Sequence, residues 1–202
     1  ISRLDRISVE HEVRIYASLK HPGHPNVAEL LAVYRSHNHV RLVMERLNGG
    51  DTFDNLQASG TLTEQEVARV ILQVLEAVEY LHGKGVVHRD IKLENVVYEN
   101  RGGCRVKLID FGLSCTWKEG MPALTLPVGT VEYMAPEVLT NQPYTSQVDM
   151  WGVGVVAYML LIGERFGRSS DLTPRFSRHF DTLSAEARSF LSSLLKVNPR
   201  SR

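Results

Sequence analysis

The chain has 202 residues, 43% of them hydrophobic, and its 23 lysines and arginines balance 23 aspartates and glutamates to a formal net charge of zero. This length and composition are enough for one globular domain with a buried core. A zero net charge gives no electrostatic basis for nonspecific binding to nucleic acid or to an anionic membrane, so we expect neither partner. The charged residues 1–6 are not typical of a signal peptide, and the longest apolar run, 150–162, is too short to cross a bilayer.

The two cysteines, Cys104 and Cys115, do not have the spacing of a zinc site. Their low number favours a reduced intracellular setting, and we expect the cytoplasm, with the nucleus as a further possibility. The sequence leaves the oligomeric state open.

The first elements are predicted from hydrophobic periodicity. Residues 8–20 carry apolar side chains at helical spacing, and a His-Pro-Gly turn ends the pattern. Residues 28–34 and 39–45 predict two strands joined by a polar turn at 35–38. A capping box formed by Thr63 and Glu66 then opens a long amphipathic helix, which Gly83 and Gly85 end.

This long helix leads into a polar loop, residues 88–95, with the sequence His-Arg-Asp-Ile-Lys-Leu-Glu-Asn. Phosphoryl transfer needs a carboxylate to orient the attacking hydroxyl, a cation for the moving phosphoryl group and an oxygen ligand for magnesium. Asp90, Lys92 and Asn95 supply these groups in order. Asp110, which follows a strand-like apolar stretch, supplies a second carboxylate for the metal.

The rest of the chain predicts one long loop and two helices. Residues 112–129 show no sustained period and predict a functional loop. Residues 148–162 predict a buried core helix, with Asp149 at its start. The Asp149 carboxylate is expected to accept hydrogen bonds from backbone N–H groups of the polar loop, to be an ordinary N-terminal acid favoured by the helix dipole, or both. Residues 184–196 predict a last amphipathic helix.

Four motifs occur in one order along the chain, and together they resemble the catalytic domain of eukaryotic Ser/Thr protein kinases. The resemblance implies an α+β fold, with a partial small N-terminal lobe at 1–47 and a hinge plus a mainly helical C-terminal lobe at 48–202. It also implies ATP and Mg²⁺ as cofactors and protein serines or threonines as substrates. The motifs are His88-Arg89-Asp90, Asp110-Phe111-Gly112, Ala135-Pro136-Glu137 and Asp149-Met150-Trp151-Gly152.

The resemblance also assigns roles to single residues. Asp90 is the proton acceptor, Lys92 contacts the γ-phosphate, and Asn95 and Asp110 hold magnesium. Thr130 hydrogen-bonds Asp90 and Lys92. Two more pairings are implied: Glu12 would bind a lysine that grips the nucleotide phosphates, and Arg202 would form a buried ion pair with Glu137.

The nucleotide base is assigned to the stretch that follows the second predicted strand. By the resemblance, Met44 is the gatekeeper, and the Glu45 carbonyl and the Leu47 amide face the adenine. Asp51 and Val97 complete this predicted nucleotide site.

The chain departs from the family pattern before Glu12 and after residue 162. The sequence shows no Gly-rich loop and no strand lysine ahead of Glu12, so we expect an N-terminally incomplete domain in which Glu12 has no obvious partner. Residues 163–183 replace a longer linker and helix. An alternative to a kinase is a pseudokinase or scaffold that keeps the fold without turnover. Asp90, Lys92, Asn95 and Asp110 favour the kinase, because a scaffold has no chemical need for all four.

Two features concern substrate choice and regulation. Asp51 and Glu94 match positions that hold arginines in kinases of basic sequences, and residues 148–152 and 160–163 resemble the calcium/calmodulin-dependent group, so we expect basic residues before the phosphoacceptor. Two solvated acids are the alternative. Arg89 is the cation that an activation-loop phosphate commonly neutralises, but Leu126 stands where the phosphoacceptor is expected. Either Thr125, or more remotely Thr116, takes the phosphate, or the loop orders without one, which we favour because Pro127 restricts the backbone.

Overall fold

The computed structural model describes residues 3–36, 39–60 and 62–202. Its N-terminal part contains helix α1 (Arg3–Leu19) and an antiparallel pair, β1 (Leu30–Arg35) and β2 (Val40–Met44). The predicted helix and both predicted strands are confirmed, with the helix beginning earlier than its periodicity indicates. Residues 37 and 38 of the predicted turn lie outside the described residues.

The larger part is mainly helical, and the fold is α+β as predicted. The long helix α3 (Glu64–Gly83) begins at the predicted capping box, in which the Thr63 hydroxyl accepts from the Glu66 N–H and the Glu66 carboxylate accepts from the Thr63 N–H. The other helices are α2 (Thr52–Ser59), α4 (Pro136–Leu139), α5 (Gln147–Ile162) and α6 (Ala185–Leu194), with 3-10 turns at Leu93–Asn95, Arg178–Thr182 and Pro199–Ser201.

Short antiparallel strand pairs lie within the connections between these helices. The pairs are β3 (Val86–Val87) with β6 (Cys115–Thr116), β4 (Val96–Tyr98) with β5 (Val106–Leu108), and β7 (Gly167–Arg168) with β8 (Pro174–Arg175). The hairpin of β7 and β8 lies within residues 163–183, the segment that is shorter than the corresponding part of the family pattern. The loop that the sequence predicts at 112–129 contains only β6 among these strands.

Helix α5 is the centre of the core because it is buried on nearly all sides. It packs against α3 and α6, and its glycines permit close approach. A Cβ added at Gly152 would lie 3.1 Å from the Ile91 side chain and carbonyl, so this glycine lets the helix touch the polar loop. In the part of the chain that the structure describes, no helix combines the length and the apolarity that a membrane span requires.

Helix α2 was not predicted, because its sequence is short and largely polar. Its start is fixed by Asp51, whose Oδ1 accepts from the Asp54 N–H at 2.8 Å. An acid at this position is a common N-cap and could have signalled the helix.

The predicted ion pair between Glu137 and Arg202 is present. The two guanidinium nitrogens of Arg202 donate to the two carboxylate oxygens at 2.6 and 2.7 Å, and both side chains are buried. The guanidinium also lies 5.0 Å from the centre of the Trp151 ring in α5. This bidentate contact joins the end of the chain to α4.

Candidate active site

The polar loop at 88–95 is held by the carboxylate of Asp149, in the first turn of α5. Asp149 Oδ1 accepts from the Arg89 N–H at 2.8 Å, and Oδ2 accepts from the His88 N–H at 2.9 Å. Oδ2 also lies 2.8 Å from His82 Nε2 at the end of α3. The first of the two readings of Asp149 is therefore correct. These bonds hold Arg89 in a left-handed conformation with φ 68°, which is uncommon for any residue other than glycine.

His88 connects this loop to the strand that precedes Asp110. Its side chain is completely buried; Nδ1 accepts from the Asp90 N–H at 3.2 Å, and Nε2 donates to the Ile109 carbonyl at 3.1 Å. Burial lowers the pKa of His88, which agrees with a neutral ring protonated at Nε2. The ring also meets the edge of Phe111 at 5.1 Å.

Asp90 lies at the centre of the site and is fixed from two sides. Its Oδ1 accepts from the backbone N–H and the hydroxyl of Thr130 at 2.8 and 2.7 Å. Lys92 Nζ lies 2.9 Å from Oδ2 and donates to the Thr130 hydroxyl oxygen at 3.0 Å. The contacts predicted for Thr130 are thus present.

The pKa of Asp90 reflects two opposing effects. Burial disfavours the charged carboxylate and raises its pKa, but hydrogen bonds from Lys92 and Thr130 outweigh burial and leave the pKa below its usual value. Asp90 is therefore ionised at neutral pH and can accept a hydrogen bond from a hydroxyl.

Gly129 allows the segment with Thr130 to approach this closely. Its φ is 123°, and an added Cβ would lie 2.6 Å from the Arg89 carbonyl oxygen. Any side chain here would push Thr130 away from Asp90.

Asn95 and Asp110 are brought together by the pairing of β4 and β5. The Asn95 carbonyl accepts from the Ile109 N–H at 2.9 Å, which places Asp110 next to it. Asn95 Nδ2 donates to the Asp90 carbonyl at 2.9 Å, so its amide oxygen points away and accepts no hydrogen bond from the described residues. The exposed Asp110 has φ 62°, and its Oδ1 accepts from the Gly112 N–H at 3.0 Å.

These two side chains fit a magnesium ion. An amide oxygen and a carboxylate are hard oxygen ligands, and Mg²⁺ usually takes only one or two carboxylates from a protein, with phosphates and water as its other ligands. The described residues contain no cluster of three or more His, Cys, Asp or Glu side chains arranged for a metal.

Glu12 faces the same region from α1. Tyr16, one turn further along this helix, packs edge-on against Phe111 at 4.9 Å. Burial raises the pKa of Glu12, and the negative charge of Asp110 raises it further. No described cation forms an ion pair with Glu12, so its predicted lysine partner is not among the described residues.

The residues predicted to bind the nucleotide lie along the connection between β2 and β4. Met44 ends β2, and the Glu45 carbonyl and the Leu47 N–H make no hydrogen bond with the described residues. Asp51 forms an isolated antiparallel bridge with Val97 of β4. The arrangement leaves the two backbone groups free for a base, which stays a prediction.

Lys107 is a residue of this region that sequence reasoning missed. Its Nζ lies 2.8 Å from the Glu45 carboxylate, which also accepts from the Glu29 N–H at 2.7 Å. A single cation within a buried strand requires an acidic partner, and that signal was available in the sequence.

The side chain of Arg89 connects both ends of the loop that begins at Gly112. Its Nε donates to the Leu113 carbonyl at 2.7 Å, and Nη1 donates to the Tyr144 hydroxyl at 3.2 Å. The Tyr144 hydroxyl in turn donates to the Leu126 carbonyl at 2.5 Å, and its backbone pairs with Leu124. No sequence signal identifies Tyr144, because its role depends on contacts made only in the tertiary fold.

A family model described as "Protein kinase domain" matches residues 2–202. The chain is 39% identical over 208 residues to calcium/calmodulin-dependent protein kinase type 1 of Caenorhabditis briggsae, with 96% of this chain and 57% of the relative covered. It is 37% identical over 206 residues to serine/threonine-protein kinase H1 of Homo sapiens, with 96% and 48% covered. A serine/threonine-protein kinase H1 homolog of Pinctada fucata is 36% identical, with 100% and 52% covered. The chain thus spans about half the length of the curated relatives it matches.

The hydroxyl of Thr130 is expected to lower the pKa of Asp90. Thr130→Val removes one donor to the carboxylate and keeps the side-chain shape, so the pKa of Asp90 should rise, whereas Thr130→Ser should keep it low. A carboxylate whose pKa is lowered by folding stabilises the fold at pH values above its pKa in the unfolded chain. This stabilisation is lost as the pH falls through the pKa of the carboxylate in the folded protein. A pH titration of the Asp90 carboxyl carbon by NMR measures the shift, and equal pKa values in both variants would contradict the assignment.

Proposed function

This chain belongs to the protein kinase family, and we propose that the protein containing it transfers the γ-phosphoryl group of ATP to serine or threonine hydroxyls of other proteins. The observation that carries this proposal is the Asp90 carboxylate, ionised and fixed by Thr130 and Lys92 beside the oxygen ligands of Asn95 and Asp110. The relatives of the chain include a serine/threonine-protein kinase, which supports the substrate class.

Each residue has a role that follows from its contacts. Asp90 orients the attacking hydroxyl and accepts its proton. Lys92 donates hydrogen bonds to the oxygens of the phosphoryl group that is being transferred. Magnesium, when held by Asn95 and Asp110, neutralises phosphate charge. Thr130 holds the Asp90 and Lys92 side chains in position relative to each other, so that positioning and charge provide the rate enhancement.

We expect Asp90→Asn in the full-length protein to reduce phosphopeptide formation by about 100-fold or more, because the variant can neither orient the hydroxyl as a carboxylate nor accept its proton. Asp181→Asn is the matched control, because Asp181 is an exposed aspartate in the 3-10 turn Arg178–Thr182, outside the site. Turnover by Asp90→Asn equal to that of the control would show that the assigned mechanism is wrong.

A scaffold without turnover is the alternative. Burial and the charge of Asp110 raise the pKa of Glu12, and no cation among the described residues pairs with it. A full-length wild-type protein that is folded but forms no phosphopeptide with ATP and magnesium would support the scaffold.

We also propose that the substrates carry basic residues before the phosphoacceptor. Glu94 is exposed within the polar loop at 88–95, and its carboxylate accepts a hydrogen bond from the Tyr133 hydroxyl. Asp51 uses Oδ1 to cap α2, which leaves its second oxygen for a substrate cation. These two carboxylates favour arginine through charge-assisted hydrogen bonds.

The selectivity for arginine should be about tenfold lower in a Glu94→Gln, Asp51→Asn double variant, because each substitution removes a charge and keeps the side-chain shape. Asparagine is also a good N-cap, so α2 should persist. A peptide array compares kcat/KM for peptides with and without upstream arginines. A wild-type profile indifferent to these arginines would show that the two acids are only solvated.

We further propose that the loop at 112–129, which corresponds to the activation loop of the family, orders without a phosphate. The support is that Arg89, the cation a phosphate would neutralise, already donates to the Leu113 carbonyl and to the Tyr144 hydroxyl. Through Tyr144 the same arginine is connected to Leu126, the apolar residue at the expected phosphorylation position.

A Thr125→Ala variant of the full-length protein, made without activating kinases, should therefore keep its activity, because no contact of the loop needs a phosphate there. Tyr144→Phe should lower activity, because it removes the hydroxyl that joins Arg89 to Leu126. Mass spectrometry gives the phosphorylation state of each sample. Activity found only with phosphorylated Thr125, and lost in Thr125→Ala, would refute the proposal.

A further inference from the structure

Arg168 makes an unusual contact from the short hairpin that follows α5. One terminal nitrogen of its guanidinium, Nη1, donates to the Val131 carbonyl at 3.2 Å. The other, Nη2, donates to the carbonyls of Glu132 and Met134 at 2.9 and 2.6 Å. Three carbonyls of the segment 130–134 therefore converge on one cation from the neighbouring hairpin.

Burial of the charged Arg168 guanidinium carries a desolvation cost, so we infer that the contact has a specific role. Arg168 is partly buried, its guanidinium lies 5.5 Å from the ring centres of both Trp151 and Phe166, and burial lowers its pKa. It forms no ion pair with the described residues, and the Glu132 carboxylate faces the exposed Arg165 instead, at 3.8 Å. Backbone carbonyls, aromatic rings and the nearby negative charge of Glu132 compensate the loss of water around the cation.

The position of the contact indicates what it fixes. The segment 130–134 is attached at its start through Thr130 to Asp90, and it is followed by Glu137, which is paired with Arg202. Arg168 holds the peptide groups between these two attachments. Val131, whose carbonyl it binds, is 66% exposed and directly follows Thr130 in the chain. The backbone on the inner side of the segment is thus fixed, while its outer side stays open.

We propose that Arg168 is a positioning residue for the peptide substrate: it sets the backbone of segment 130–134 so that a peptide docks with its hydroxyl at Asp90. The inference rests on the proposed kinase function. Arg168 touches neither ATP nor the reacting atoms, so its effect belongs to the peptide-binding step. Arginine is needed because a lysine, as a single point charge, cannot span three carbonyls in a fixed plane.

The kinetic test compares Arg168→Gln with Arg175→Gln in the full-length protein. Arg175 lies on the paired strand of the same hairpin and is exposed, so it controls for a change of charge at this position in the fold. We expect Arg168→Gln to raise KM for the peptide by about tenfold and to leave KM for ATP within about twofold of wild type, with Arg175→Gln unchanged. If Arg168→Gln does not fold, Arg168→Lys should show the same split with a smaller rise. Equal effects on both KM values, or no effect on the peptide, would overturn the proposal.

A second measurement does not depend on activity. Hydrogen exchange followed by mass spectrometry should show faster exchange of segment 130–134 in Arg168→Gln than in wild type or Arg175→Gln, with α5 unchanged. Exchange unchanged in that segment would overturn the positioning role even if the wild-type protein were an active kinase. A wild-type protein that forms no phosphopeptide would defeat the proposed function, and the exchange result would still decide whether Arg168 holds the segment.

Discussion

Asp149 lies in the first turn of α5, a helix that is buried along its length. Its carboxylate accepts hydrogen bonds from two backbone N–H groups of the polar loop at 88–95 and contacts His82. Because α5 packs against both α3 and α6, the loop takes its position from the hydrophobic core rather than from its own polar sequence. The left-handed backbone at Arg89 is unfavourable in isolation, and its N–H bond to Asp149 holds it. The direction in which Asp90 points is set by this backbone. The position of the loop thus depends on a helix that is buried along nearly its whole length.

The parts of the fold that were predicted from sequence are those with local signals. The capping box at Thr63 and the apolar periodicity of α3 gave a helix whose ends the structure confirms. Tyr144 and Arg168 were missed, because each bonds to a partner in another part of the chain and no spacing rule relates the two. Lys107 was missed although its charge within an apolar strand was a signal, because nothing in the sequence identifies Glu45 as its partner. Short α2 was missed for a different reason: it has few apolar positions, and its only clear signal was the cap.

The same distinction applies to the site. Asp90, Lys92 and Asn95 share one loop, so their proximity follows from the chain itself, and the pairing of β4 with β5 adds Asp110. The nucleotide contacts assigned to Glu45 and Leu47 use backbone groups, which leave little trace in the identity of a side chain. Glu12 differs from both cases, because the charge it requires is not among the described residues, and burial next to Asp110 raises its pKa in that setting.

The low pKa of Asp90 bears on how this site would act under the proposed function. General-base catalysis is most efficient when the pKa of the base lies near the working pH, and the bonds from Lys92 and Thr130 move Asp90 the other way. A strong base is not required, however, when the phosphoryl group passes through a loose transition state, since the attacking hydroxyl carries little charge until the transfer is well advanced. What the reaction needs early is a fixed acceptor that aims the hydroxyl in line with the phosphorus. The contacts that weaken Asp90 as a base are the same contacts that fix its orientation, so in this arrangement orientation takes precedence over basicity.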